Sequence, residues 1–200
     1  MAKIAGAAQA LSSSPQEVSL IQQAVSGDPD AFAELYETYL DEVYRFIFYR
    51  VEDESVAEDL TSQVFLKAWD NIGRYQVRGL PFSAWLFRIA RNIVIDYYRT
   101  RKDIMPLEEP GALIEPDPAA NVAKEVEKRL QGEWLRRMLQ QLTEEQKEVL
   151  TLKFIHGLST KEVAKVMKKR QGAIRALQMR GLQALADLIG VDDEQAGTGP

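Results

Sequence analysis

Cysteine is absent from this chain of 200 residues, and histidine occurs once, at His156. The first absence excludes a disulfide framework, thiolate metal sites and a cysteine nucleophile. The second leaves a Ser-His-Asp triad a single residue to use, and it rules out a zinc site built on several imidazoles. No apolar run approaches the roughly 20 residues that cross a bilayer, so no membrane insertion is expected. The start of the chain carries one lysine and a short alanine-rich stretch broken by Gly6 and Gln9, a poor signal peptide, and the expected compartment is the cytoplasm. Glycine (12) and proline (8) are too sparse for a low-complexity chain. Strand-like alternation and internal repeats are missing. No set of convergent titratable groups stands out, so no catalytic residue, metal site or cofactor is expected. What is present, 46% hydrophobic and 28% charged residues, can bury a core in one or two small domains.

The net charge of −5 conceals blocks. Residues 31–70 hold ten acidic residues against three basic ones, and residues 71–102 hold seven basic residues and only Asp96. Residues 103–123 have five acids and no base, 124–150 balance, and 151–190 hold eight bases against Glu162 and Asp187. Two basic blocks separated by an acidic spacer fit a polyanion contacted at two places; solvated helix faces are the plainer account.

Nearly every long segment has helical periodicity. Asp28 and Pro29 start a helix along which Phe32, Leu35, Tyr36, Tyr39, Leu40, Val43 and Ile47 recur. Ser55 and Glu58 read as a capping box for a second helix, with Ala57, Leu60, Val64 and Ala68 on one face and Phe65 and Trp69 beside them, Phe65 exposed. Gly73, Gly79 and Pro81 interrupt it. A long helix follows over about 82–101. Phe82, Trp85, Leu86, Ile89, Ala90, Ile93 and Tyr97 form its apolar side, and Arg88, Arg91, Asn92, Ile95, Arg99 and Lys102 the opposite side. Pro106, Pro110, Pro116 and Pro118 among acidic residues mark an extended linker. Helix resumes near Ala123 and runs toward Leu142. Thr143 with Gln146 and Ser159 with Glu162 form further capping boxes, and Gly157 stops the helix between them. The expected fold is all-α: a disordered tail over 1–18, an N-terminal helical bundle over 19–102, the linker over 103–123, a four-helix domain over 124–190 and a second tail over 191–200.

A short helix, a tight turn and a basic second helix over about 171–189 are the parts of a helix-turn-helix. Ile174, Leu177, Gly181, Leu185 and Leu188 share the face expected to meet the core, while Arg175, Ala176, Met179 and Arg180 point away. Lys168, Lys169, Arg170 and Gln171 stand at the turn and helix start, where phosphates would lie. His156 is expected at a helix end favoured by the dipole. In the first basic block, Tyr75, Phe82, Trp85, Phe87, Tyr97 and Tyr98 interleave with arginines, an arrangement suited to stacking single-stranded bases while charges pair with phosphates. Core packing is the favoured account for Phe82, Trp85 and Tyr97, whereas Tyr75 and Phe87 fit the core less well and could be exposed. Asn92 adds a bidentate hydrogen-bonding side chain. The acid-rich helix before this block cannot lie on DNA, but it can dock on another protein.

Three stretches resemble a bacterial RNA polymerase sigma factor of the sigma-70 family, extracytoplasmic-function (ECF) group. Asp59 and Leu60 with the run Phe65, Leu66, Lys67, Ala68, Trp69 resemble the family's polymerase-docking helix. The run over 82–92, from Phe82 through Trp85, Phe87, Arg88 and Arg91 to Asn92, resembles the segment that opens and reads the −10 element. Leu158, Ser159, Glu162, Val163 and Ala164, with Gly172 to Leu177, resemble the −35-reading helix-turn-helix. The resemblance implies docking on the clamp helices of the largest polymerase subunit through Asp59, Leu60, Gln63, Phe65 and Trp69, with the flap of the second-largest subunit as a further contact. It implies −10 contacts from Tyr75, Arg78, Phe82, Phe87, Arg88, Arg91, Asn92 and Arg99. It implies −35 contacts from Lys168, Lys169, Arg170, Gln171, Arg175, Ala176, Met179 and Arg180. The implied partners are core polymerase, promoter DNA and an anti-sigma factor. Nucleotide addition would belong to the polymerase, so this chain is not expected to be an enzyme. Lys168 and Arg170 stand where the family usually has Gly and a Ser cap. A helix-turn-helix regulator that works without polymerase is the alternative, and an RNA- or protein-binding helical adaptor is a third.

Overall fold

A computed structural model describes residues 14–51, 53–77, 80–104 and 132–196. Helix α1 (Pro15–Val25) starts on Ser14, whose hydroxyl accepts from the Glu17 amide, with Pro15 in the first turn. This helix lies in part within the stretch expected to be a disordered tail. Its signal was a capping serine before a proline, with a glutamate in the first turn. Gly27, at φ +95°, makes the turn into α2 (Pro29–Phe48), which Asp28 caps as expected through the amides of Asp30 and Ala31. Helix α3 (Glu54–Asn71) is capped by Asp53, not by Ser55. The Asp53 carboxylate accepts from the Ser55 amide and hydroxyl and from the Val56 amide, so Ser55 is a donor inside the first turn. A short 3-10 turn, Ile72–Arg74, leads toward α4 (Phe82–Ile104).

The second unit begins with α5 (132–140), followed by α6 (Glu144–Leu150) and a π-helical segment, Thr151–Ile155. Both expected capping boxes are formed, Thr143 with Gln146 at α6 and Ser159 with Glu162 at α7 (Thr160–Val166). Gly157 takes φ +67° between them. Helix α8 (Gln171–Ala196) runs beyond the expected end near residue 189 and into the stretch expected to be a tail. The fold is all-α, and no strand occurs among the described residues. Of the linker expected over 103–123, residues 103 and 104 belong to α4, and the rest lies outside the described residues, as do 124–131, where helix was expected to resume, Arg78, and the outer parts of both tails, 1–13 and 197–200.

The two units are packed together. One apolar core runs from Phe46, Ile47 and Phe87 in the first unit into Val149, Leu152, Leu158 and Val163 of the second. Helices α2, α3 and α4 supply most of it. Leu139, Leu142 and Leu150 form a smaller cluster with Leu185 and Leu188 of α8.

Candidate nucleic-acid interface

Helix α3 packs its broad apolar stripe inward. Leu60 and Phe65 are both 5% exposed, and Phe65 meets Tyr36 of α2 edge-on at 4.7 Å between ring centroids. The expectation of an exposed Phe65 is therefore corrected, and Leu60 too belongs to the core. Thr61, Phe65, Ala68 and Ile72 continue at helical spacing from Ala57, so the buried stripe is wider than the Ala57–Leu60–Val64–Ala68 line alone. The exposed apolar residues of α3 are Leu66, at 67%, and Trp69, at 39%. Trp69 also leans on Phe32 at 4.9 Å. Asp59 and Gln63 are exposed as expected, together with Glu58 and Asp70. Leu66 lies in the run that resembles the family but outside the expected docking set. An open groove of about 530 Å³ separates this face from α4, lined by Leu60, Gln63, Lys67, Ile93, Asp96 and Tyr97.

On α4, Arg88, Asn92 and Arg99 are exposed, in line with the basic stripe. Arg99 reaches Asp96 at 3.1 Å. Arg91 behaves differently. It is 17% exposed, and its Nε lies 2.6 Å from Glu148 Oε1 of the second unit. Tyr75 and Phe87 are corrected as candidate base-stacking rings, and Phe82 lies in the core, as the packing account had it. Tyr75 is 8% exposed, Phe82 1% and Phe87 1%. The Tyr75 ring stands edge-on to Phe82, and its hydroxyl donates to the Leu80 carbonyl at 2.6 Å. Burial pushes the Tyr75 phenol up to about 12. Phe87 packs against Phe46 and His156. These rings are inside because they close the α2–α4 seam, and they offer no free face to a base. Trp85 is half-buried over Tyr75.

The helix-turn-helix face is as the sequence predicted. Lys168, Arg170, Gln171, Arg175, Ala176, Met179 and Arg180 are exposed, and Ile174 and Leu177 are buried beneath them. Lys169 is half-buried and pairs with Glu145 at 2.8 Å. Gly181 faces inward, where a Cβ would meet Leu150 at 3.1 Å, so glycine permits the close approach of α8 to α6. Lys168 holds the turn at φ +54°, the left-handed conformation that glycine adopts freely.

His156 corrects another expectation. It does end a helical segment, Thr151–Ile155, as expected, but it is a buried wedge and not a charged, dipole-favoured residue, 4.5 Å from the Phe87 ring and 6.0 Å from Phe46. Desolvation, aided by the nearby Arg45 charge, pushes its pKa down to about 3, so the ring is neutral. Among the described residues, no cluster of three or more His, Cys, Asp or Glu side chains is placed to hold a metal ion. No helix among them is long and apolar enough to cross a membrane.

Residues 35–104 match the family description Sigma-70 region 2, and residues 132–185 match Sigma-70, region 4. The ECF RNA polymerase sigma factor BldN of Streptomyces coelicolor is 38% identical over 89% of this chain and 67% of its own length. The ECF RNA polymerase sigma factor SigM of Bacillus subtilis is 31% identical over 80% of this chain and 98% of its own. Among solved structures, CnrH in complex with the cytosolic domain of CnrY matches with a TM-score of 0.68 and 25% identity, covering 88% of this chain and 97% of that one. With both regions matched in order, and relatives matched along most of its length, the chain belongs to the ECF RNA polymerase sigma factors.

Proposed function

We propose that this sigma factor binds core RNA polymerase through the outer face of α3 and directs initiation by reading two promoter elements. Its α8 would read the −35 duplex, and α4 would contact the −10 region as its strands separate. The observation that carries this reading is the pairing of opposite faces in one bundle. Exposed Asp59, Gln63, Leu66 and Trp69 on α3 lie beside exposed Arg88, Asn92 and Arg99 on α4. An acidic and apolar face suits a protein partner, and a basic face suits phosphate. The corresponding polymerase surfaces are the clamp helices for α3 and the flap for the second unit.

On α8, small residues let the helix backbone approach a groove, while Arg175 and Arg180 stand on the outward side. Two weak DNA contacts held on one polymerase gain from effective concentration. A chain of net charge −5 can thereby select promoters with its partner when its own pull on DNA is small. Melting costs a few kcal/mol per unstacked step, and capture of the freed strand must offset it. With Tyr75, Phe82 and Phe87 in the core, charge and hydrogen bonding from Arg88, Asn92 and Arg99 are the groups of α4 available for that capture. CnrH is solved with a protein partner, and the outward faces of both units here leave room for a protein partner as well, an anti-sigma factor in this reading.

Run-off transcription with purified core enzyme on a genomic promoter library tests the proposal. Transcripts from defined start sites, dependent on this chain, are expected; no product on any promoter overturns it. The open helix-turn-helix face keeps one second reading in play, a regulator that works without polymerase. Tight duplex binding by the pure protein in a low-salt gel shift, without any transcription, would favour that reading.

A further inference from the structure

The seam between the two units is built on charge as well as on apolar packing. Glu148 of α6 is 3% exposed and stands between two guanidinium groups of the first unit. Arg91 Nε is 2.6 Å from Glu148 Oε1, and Arg50 Nη1 is 3.5 Å from Oε2. Arg50 is itself 2% exposed, and its Nη2 reaches Glu144 at 3.7 Å. Neither Arg50 Nε nor Arg91 Nε is aligned for a hydrogen bond, so charge, not bond geometry, holds the cluster. Around it, Arg136 of α5 donates to the Val51 carbonyl at 2.8 Å and lies over the Phe48 ring, and His156 fills the gap between Phe46 and Phe87.

Such a cluster holds firmly while both partners are present, but its net contribution is small, because opening it returns every charge to water. That makes it suited to a joint that must open. Arg91 lies in the basic stripe of α4, yet it is occupied by a carboxylate from the other unit, while Arg88, Asn92 and Arg99 beside it are exposed. The helix-turn-helix face of α8 is left open by the same packing.

We propose that Glu148 is an intramolecular latch. Its carboxylate occupies the place of a nucleic-acid phosphate on Arg91 and, with Arg50, holds the second unit against the first, so that the chain is closed until a polyanion or the polymerase takes Arg91 over. The inference rests on the promoter-reading function above for its purpose, but not for its detection.

The absence of cysteine allows a clean test by distance measurement between two introduced labels. Glu37→Cys on α2 and Ala186→Cys on α8 are both exposed positions, one in each unit. In the full-length labelled protein, Glu148→Gln should lengthen the label separation, with a shift in the closed-to-open ratio on the order of a hundredfold, the scale on which loss of one partner from a buried pair acts. It should leave helix content unchanged by circular dichroism. In run-off assays at limiting core enzyme, Glu148→Gln should raise transcript yield. An unchanged label separation in a folded Glu148→Gln protein overturns the latch.

A second measurement needs no latch variant. Titrating the labelled protein, with Glu148 in place, with a short single-stranded oligonucleotide at low salt should open it. A separation that stays constant through saturation of binding also overturns the proposal. A chain that opens on Glu148→Gln but supports no transcription in either form overturns the promoter-reading function instead, so the two failures are distinguishable.

Discussion

Two residues of the second unit sit in conformations or surroundings that ordinary members of their type avoid. Lys168 occupies the left-handed region at φ +54°, which costs a side chain roughly 1–2 kcal/mol relative to glycine. Lys168→Gly should therefore stabilise the protein by about 1 kcal/mol after the extra chain entropy of glycine is subtracted. Urea midpoints check the gain. The same change removes one exposed cation from the turn, so the salt dependence of duplex binding should flatten by about one phosphate contact. A turn position occupied by Lys where the family usually has Gly was legible in the sequence as an anomaly, and the positive φ is its physical meaning. His156 was not legible. A single histidine near a helix end predicts a charged, dipole-favoured ring, and only the packing of Phe46 and Phe87 around it turns it neutral. Its pKa falls from 6.5 to about 3 in the folded chain, so between those values the unfolded state binds the extra proton. Its share of stability is therefore whole above about pH 6.5 and is lost as pH falls toward 3. The ring stays neutral in the folded form down to pH 5, so the loss between pH 7 and 5 is about 2 kcal/mol. Because carboxylates also titrate at lower pH, the measurement is a comparison of urea midpoints at pH 7 and 5, where His156→Leu should remove most of the difference.

At the scale of the element, α3 separates a buried from an exposed apolar side chain within two adjacent residues. Phe65 is buried against Tyr36, and Leu66 next to it stands out in solvent. Phe65→Ala should cost about 3–5 kcal/mol of stability, as deletion of a buried ring does. Leu66→Ala should leave stability within about 0.5 kcal/mol, as exposed positions do. Its effect belongs to binding, where loss of an exposed apolar anchor should weaken affinity for core polymerase by roughly tenfold, read by competition against unlabelled chain. The sequence contained the information to tell the two apart. Counting from Ala57 through Thr61, Phe65 and Ala68 to Ile72 places Phe65 inside the stripe, and Leu66 lies about 100° further round. The narrower Ala57–Leu60–Val64–Ala68 line left Phe65 outside. On α4 the basic side of the helix was read correctly at Arg88, Asn92 and Arg99. Tyr75 and Phe87 near it were not, because base stacking and core packing call for the same rings at the same spacing, and only the position of α2 decides between them. The caps at Asp28, Thr143 and Ser159 were legible because a cap is a local signal over three or four residues.

For the whole molecule, the alternating charge blocks describe a chain whose parts differ in surface charge, and the folded arrangement adds a relation between those parts. Arg50 and Arg91 meet a carboxylate far along the chain, at Glu148. Helical periodicity reports only neighbours three and four residues away, so no pattern in the sequence announces that meeting. The balanced charge over residues 124–150 concealed a carboxylate, Glu148, that is buried against the first unit. The arrangement fixes how the free chain should respond to salt. The outward face of α8 is exposed, the net charge is −5, and Arg91 is occupied. Binding of the isolated chain to a −35 duplex should accordingly be weak, and log affinity should fall linearly with log salt, at a slope of about 0.9 for each phosphate neutralised. Arg175→Ala should lower that slope by about one, while Arg88→Ala, on the exposed face of α4 and away from α8, should leave it unchanged. Fluorescence anisotropy across a salt series reads both. Equal slopes for Arg175→Ala and the parent chain would place the duplex elsewhere than on α8. A slope that fell with Arg88→Ala would mean that the two basic blocks grip one duplex together, which the closed packing of the units opposes.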